Sequence, residues 1–221
     1  MSDYITNCDT IIFASKFNKL LDFELINKYK NLIFSNYILD DNLFDKYKND
    51  NIYNLQFIGS EFNQKVNNLP NSIIHLTFGQ TFNQEVNNLP NSLTYLTFGW
   101  HFNQKVDLPF SVKYLKLNCN NQYLIDNLSN NIEELELDYN FNLELNNLPS
   151  SIKKILFYKN SEYNKELNCL PNFVETIKLP INYNKKISKI PSGLKKLICH
   201  ISYKYINDYN DINIEKYDFN Y

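Results

Sequence analysis

Residues 69–106, LPNSIIHLTFGQTFNQEVNNLPNSLTYLTFGWHFNQKV, write one pattern twice. Leu76 returns as Leu96, Phe78 as Phe98, Gly79 as Gly99, Phe82 as Phe102 and Asn83 as Asn103, each 20 residues on. A repeat this short cannot bury its own apolar face, so copies must stack, and a period of 20–50 residues is the mark of a solenoid. Length then scales with repeat number and sets no domain count.

With the first Leu of LTF as a register mark, marks fall at Ile11, Leu32, Leu55, Leu76, Leu96, Leu115, Leu135, Ile155, Ile177, Leu197 and Tyr217. Two positions beyond stand Phe13, Phe34, Phe57, Phe78, Phe98, Leu117, Leu137, Phe157, Leu179, Cys199 and Phe219. Three positions before stand residues that are almost all apolar, from Cys8 and Tyr29 through Ile73, Leu93 and Ile132 to Ile214. A mark and the residue two beyond share one face of an extended strand, and the residue between them points away. The spacing therefore predicts a mainly β fold. It is a right-handed solenoid of about eleven turns, each of about 20 residues, with one parallel sheet and little helix. Phe-Asn pairs (Phe17-Asn18, Phe62-Asn63, Phe82-Asn83, Phe102-Asn103, Phe141-Asn142) and their Tyr-Asn equivalents supply the bend after each strand. The Leu-Pro pairs close the turn, where proline's missing N–H costs no ladder bond. Residues 17–28 have helical spacing and are expected to form a short helix, and 36–50 a loop. Three regions follow: 1–51 as an N-terminal cap with degenerate repeats, 52–106 as well-preserved repeats, and 107–221 as degenerate repeats.

The LPNS–LTFG–FNQ pattern resembles the FNIP repeat, a leucine-rich-repeat-like unit of amoebal and giant-virus proteins. The resemblance implies a protein-interaction scaffold. Some such proteins carry an N-terminal F-box, for which there is little room ahead of Cys8, so an adaptor role in ubiquitin ligation is not carried over.

Composition narrows the function classes. Hydrophobic residues make up 43%, enough for a continuous core, and the net charge is -2. All 22 cationic side chains are Lys, so the forked guanidinium that reads phosphates and guanine edges is missing. Nucleic acid is thus disfavoured as a partner. No apolar stretch reaches the roughly 18 residues that span a bilayer, and the start MSDYITNCDT lacks the features of a secretory signal. Cys8, Cys119, Cys169 and Cys199 lie far apart, as free thiols of a reducing compartment do, which places the chain inside the cell, in the cytoplasm. No cofactor is implied. His75, His101 and His200 fall at different register positions and have no metal-ligand spacing. The glycines form no phosphate-binding or nucleophile motif. The acidic cluster Glu133, Glu134, Glu136 and Asp138 reads as charge stacked against lysines of adjacent turns.

A binding face is expected on the outward residues beside each mark: His75, Tyr95, Tyr114, Lys116, Glu134, Glu136 and Lys154. Aromatic residues in the middle of such a face suit a protein interface. The partner is a protein whose identity the sequence does not name. Two other readings stay open. Lysines toward the end (Lys154, Lys178, Lys185, Lys186, Lys195, Lys196) would bind an anionic ligand or nucleic acid. More weakly, Glu134 and Glu136 would serve a carbohydrate-active β-solenoid enzyme. The last strand, with no obvious cap, leaves edge-to-edge self-association open.

Overall fold

The structure is a computed structural model that describes residues 3–34, 60–67 and 69–218. They fall into two compact units, Met1–Gln104 and Lys105–Tyr221. The expected loop at 36–50 and the marks and columns at Leu55, Phe57 and Phe219 lie outside the described residues.

The first unit carries β1 (Tyr4–Thr6), β2 (Thr10–Phe13), a short helix α1 (Phe23–Ile26), β3 (Asn31–Phe34), β4 (His75–Thr77) and β5 (Tyr95–Phe98). From β2 to β5 the strands pair in parallel and in sequence order, and Ile11, Leu32, Leu76 and Leu96 form one column. The second unit carries β6 (Tyr114–Leu117), a helix α2 (Gln122–Asp126), β7 (Glu134–Leu137), β8 (Lys154–Phe157), β9 (Thr176–Lys178), β10 (Lys196–His200) and β11 (Asn213–Tyr217). These strands too are parallel and in register, with Leu115, Leu135, Ile155, Ile177 and Leu197 in line. The mainly β, parallel-stranded solenoid expected from the period is what forms.

From β2 to β10 each described strand buries its inward side chains. Every described mark and every described residue two beyond it, from β3 to β10, is essentially inaccessible. In the first unit the strand phenylalanines and those of the following bends build two stacks of rings. Phe34, Phe78 and Phe98 repeat at 5.9 and 5.7 Å. Phe62, Phe82 and Phe102 repeat at 6.0 and 6.1 Å. Within each turn the two stacks touch at 3.9 Å. Near-parallel offset rings at such distances add to the burial term.

The bends are held by the residues that the repeat keeps most faithfully. The Oδ1 of Asn18 accepts from the backbone N–H of Asn63 at 3.0 Å, that of Asn63 from Asn83 at 2.9 Å, and that of Asn83 from Asn103 at 2.8 Å. Each of these oxygens also accepts from the next turn's glutamine amide: Gln64, Gln84 or Gln104. An amide suits this role because it satisfies a bend's orphan backbone donor without a strand partner. At the other corner, the carbonyl of Pro70 accepts from Ile73 N–H, and Pro90, Pro109, Pro149, Pro171 and Pro191 repeat the bond. Ser129 makes the same bond to Ile132 without a proline. The conserved geometry is thus a β-turn for which proline is helpful and not required.

Gly99 answers to a close approach between turns. A Cβ there would stand 2.1 Å from the carbonyl oxygen of Gly79, a backbone atom with no room to yield.

Five expectations change. First, β3 pairs directly with β4, where the register places the Leu55 mark between Leu32 and Leu76. The ring and amide ladders also step from Phe17-Asn18 to Phe62-Asn63. Second, β1 is antiparallel to β2, so the first unit begins with a hairpin. Its turn places Cys8 at the surface, with Asn7 Oδ1 accepting from Asp9 and Thr10, so Cys8 is not a core-column residue. Third, the helix predicted over 17–28 shrinks to Phe23–Ile26, capped by Asp22. Phe17 and Leu21 are spent as buried bend residues instead. Fourth, α2 stands where its turn lacks a Phe-Asn pair, and Leu124 and Ile125 fill the core there. Fifth, Leu197 faces Ile214, so the mark of the last turn is Ile214 and not Tyr217.

Candidate functional site

The outward residues of the strands follow from alternation: once the mark and its partner are buried, the residues flanking the mark face solvent. The seven expected site residues all lie on these outward positions. Two belong to the first unit and five to the second.

In the first unit the outward positions are uncharged: Thr10, Asn31, His75 and Tyr95 on one side of the mark, Ile33, Thr77 and Thr97 on the other. The ring of Tyr95 meets that of His75 edge-on at 4.0 Å and 78°. Tyr95 remains 39% exposed, the His75 imidazole less so. Burial pushes the His75 pKa down, which favours the neutral ring. The pair therefore offers an aromatic edge and hydrogen-bonding atoms with little charge. Ile12 departs from alternation: it is fully buried together with its neighbours Ile11 and Phe13.

In the second unit the outward columns are charged and paired strand to strand. Tyr114, Glu134 and Lys154 are register neighbours, as are Lys116, Glu136 and Leu156. Lys154 Nζ donates to Glu134 Oε2 at 2.9 Å and Lys116 Nζ to Glu136 Oε1 at 2.5 Å. Beside them Glu133 holds both Lys113, at 3.2 Å, and Lys153, at 2.8 Å. Hydrogen bonds from Lys153 and then Lys113 lower the Glu133 pKa. The stacked-charge reading of the acidic cluster holds for Glu133, Glu134 and Glu136. The exposed pair Glu134–Lys154 is worth only about 0.2–1 kcal/mol, and it and Glu133–Lys153 organise the surface more than they stabilise it.

Asp138 differs. It stands where the first unit has Gly79 and Gly99, is only 7% exposed, and accepts from the N–H of Tyr139 at 2.8 Å. Burial pushes its pKa up, against the pull of Lys116 3.8 Å away. Alternation alone does not signal this burial, because the residue sits past the strand, where the chain begins its bend.

Three of the lysines near the end are also engaged. Lys186 meets Asp208 at 2.6 Å, Lys195 meets Glu175 at 3.1 Å and Lys196 meets Glu215 at 2.5 Å. With these three lysines neutralised by carboxylates, the region offers an anion less than the sequence count suggests. Sequence reasoning overlooks Trp100, 44% exposed at the bend after β5 and stacked on His101, and Phe110, 79% exposed on a proline turn. The signal for both is an aromatic residue that departs from the preceding repeats, Trp100 where Gln80 stands and Phe110 where Asn71 and Asn91 stand.

Among the described residues no group of three or more His, Cys, Asp or Glu is placed to hold a metal ion. Among the same residues no helix is long and apolar enough to cross a membrane.

The comparisons with known proteins agree with this architecture. The FNIP repeat matches residues 50–81, 65–88, 82–120 and 120–160, together half of the chain. Among solved structures, one described as the crystal structure of CroV588, a novel circular LRR protein, is similar with 26% identity and a TM-score of 0.56. The match covers 91% of this chain and 38% of that one, so this chain spans well under half the length of its structural neighbour. No curated protein matches. Leucine-rich-repeat-like scaffolds of this kind commonly mediate protein interactions and suggest a non-enzymatic role. On the strength of the repeat match, this chain belongs to the FNIP repeat family.

Proposed function

We infer that this protein is a non-catalytic interaction scaffold that binds a protein partner through the outward residues of its strands. The observation that carries this reading is the His75–Tyr95 pair: two aromatic rings in edge-on contact, on the uncharged outward face of the first unit, with Tyr95 partly exposed. Tyrosine at such a position supplies large contact area at small entropic cost, which is why it is enriched in binding hot spots. The second unit presents its own outward residues, Tyr114, Lys116, Glu134, Glu136 and Lys154, whose paired charges discourage wrong partners more than they add affinity. The four unpaired thiols, with Cys8 and Cys169 at the surface, fit a reducing intracellular setting.

The test is affinity purification with quantitative mass spectrometry, comparing wild type with His75→Ala/Tyr95→Ala and with Glu134→Gln/Lys154→Gln. The reading expects a specific partner to fall at least tenfold with the aromatic variant and less with the charge variant, both variants retaining their circular dichroism. Equal recovery of the same partners by a folded His75→Ala/Tyr95→Ala protein would sink it.

A further inference from the structure

The last strand of the second unit breaks the rule that every earlier strand there obeys. Its inward positions are Ile214, opposite Leu197, and Lys216, opposite Cys199. Leu197 and Cys199 are fully buried, whereas Ile214 is half-exposed and Lys216 exposed. A lysine in an inward column can lay its aliphatic stem over the end of the core while its ammonium stays in water. Among the described residues β11 pairs with β10 alone.

Around it, phenols of the last turn tie it to backbone groups of the turns before it. Tyr209 is buried, and its hydroxyl accepts from the N–H of Ile187 at 3.1 Å. The Tyr203 hydroxyl donates to the carbonyl of Lys185 at 2.8 Å and lies 3.0 Å from that of Tyr209. Tyr217 reaches back past β10, packs edge-on against His200 and donates to the carbonyl of Leu179 at 2.7 Å. The connection from β10 to β11 is also shorter than the repeat, because Ile214 follows Leu197 by 17 residues where the interior period is about 20.

We propose that this turn is a terminating cap, and that β11 takes no further strand, from a second copy or from elsewhere, on its free side. The sequence alone left that edge open to self-association. An inward lysine on an edge strand opposes it, because pairing would bury an unpartnered ammonium beside an apolar column.

The experiment is sedimentation equilibrium of the full chain across a wide concentration range, with hydrogen exchange read over residues 213–217. Wild type should keep the mass of one chain throughout. Lys216→Val, which restores an apolar inward residue, should rise toward about twofold that mass, with slower exchange in β11 as concentration increases. Should Lys216→Val precipitate, Lys216→Gln, which keeps the stem and drops the charge, is the variant to read and should show the same trend. The proposal is overturned if wild type itself associates with slowed exchange in β11. It is equally overturned if a folded variant without the charge stays a single chain at every concentration. Neither outcome bears on the His75–Tyr95 face, which loses nothing in either variant.

Discussion

Replacing Tyr163 by phenylalanine should make this protein more stable. In the first unit the ring column after each strand is phenylalanine (Phe62, Phe82, Phe102), and in the second it begins with Phe141 before passing to Tyr163 and Tyr183. Tyr163 stacks on Phe141 at 6.1 Å and on Phe157 at 4.3 Å, and is 1% exposed. Among the described residues its hydroxyl has no hydrogen-bond partner. A buried polar group left unpaired costs about 1–3 kcal/mol, and phenylalanine removes that group while keeping the ring and its contacts. Taking about 1–2 kcal/mol as the gain, and about 2–4 °C per kcal/mol for a chain of this size, the Tm should rise by roughly 2–8 °C. The assay is thermal and urea unfolding at neutral pH, with an unchanged m-value to show that the unfolded state is the same.

The pH dependence supplies a second reading of the same variant. Burial raises the Tyr163 pKa in the folded protein. Its contribution is therefore complete below the unfolded phenol's value of about 10 and declines as pH rises above it, where the unfolded chain ionises and the folded one does not. Tyr163→Phe should flatten that alkaline loss. A variant less stable than wild type at neutral pH would refute the reasoning, since the hydroxyl would then have a partner worth keeping.

Other substitutions probe the ladders. Phe82→Ala removes a ring in contact with Phe62, Phe78 and Phe102 and should cost about 3–5 kcal/mol in the same urea experiment. Asn83→Ala leaves the N–H of Asn103 and the amide of Gln104 without their shared acceptor, at a cost of about 1 kcal/mol because water reaches both. Gly99→Ala should prevent stable folding of the first unit, since the added methyl meets the Gly79 carbonyl; a soluble variant with native circular dichroism would contradict that geometry. Asp138→Asn should stabilise at neutral pH. The raised pKa of Asp138 means its contribution is present below the unfolded value of about 3.9 and is lost as pH rises through the folded one, so the variant's advantage should vanish in acid.

The sequence by itself determined the strands, their inward residues and the chemistry of their corners. Leu76, Phe78, Leu96 and Phe98 recur at one period, and only a stacked strand can bury such a series on one face. It also determined most charge pairs, because residues about 20 apart become neighbours once the coil forms: Glu134 meets Lys154 and Glu136 meets Lys116, as counting alone indicates. Only the tertiary structure decided the places where the period is interrupted. Leu32 stacks directly on Leu76, Cys8 turns outward in a hairpin, and Ile214 replaces Tyr217 as the last mark. At Cys8 and Ile214 the local pattern permits more than one register, and the choice falls to what must cover an exposed end of the core. The same holds for exposure on the outward face. Alternation assigns His75, Tyr95 and Lys116 to one class, but contacts between neighbouring turns bury some of that surface and leave Tyr95 accessible. That sorting depends on side-chain shapes meeting across turns, and no period in a single chain encodes it.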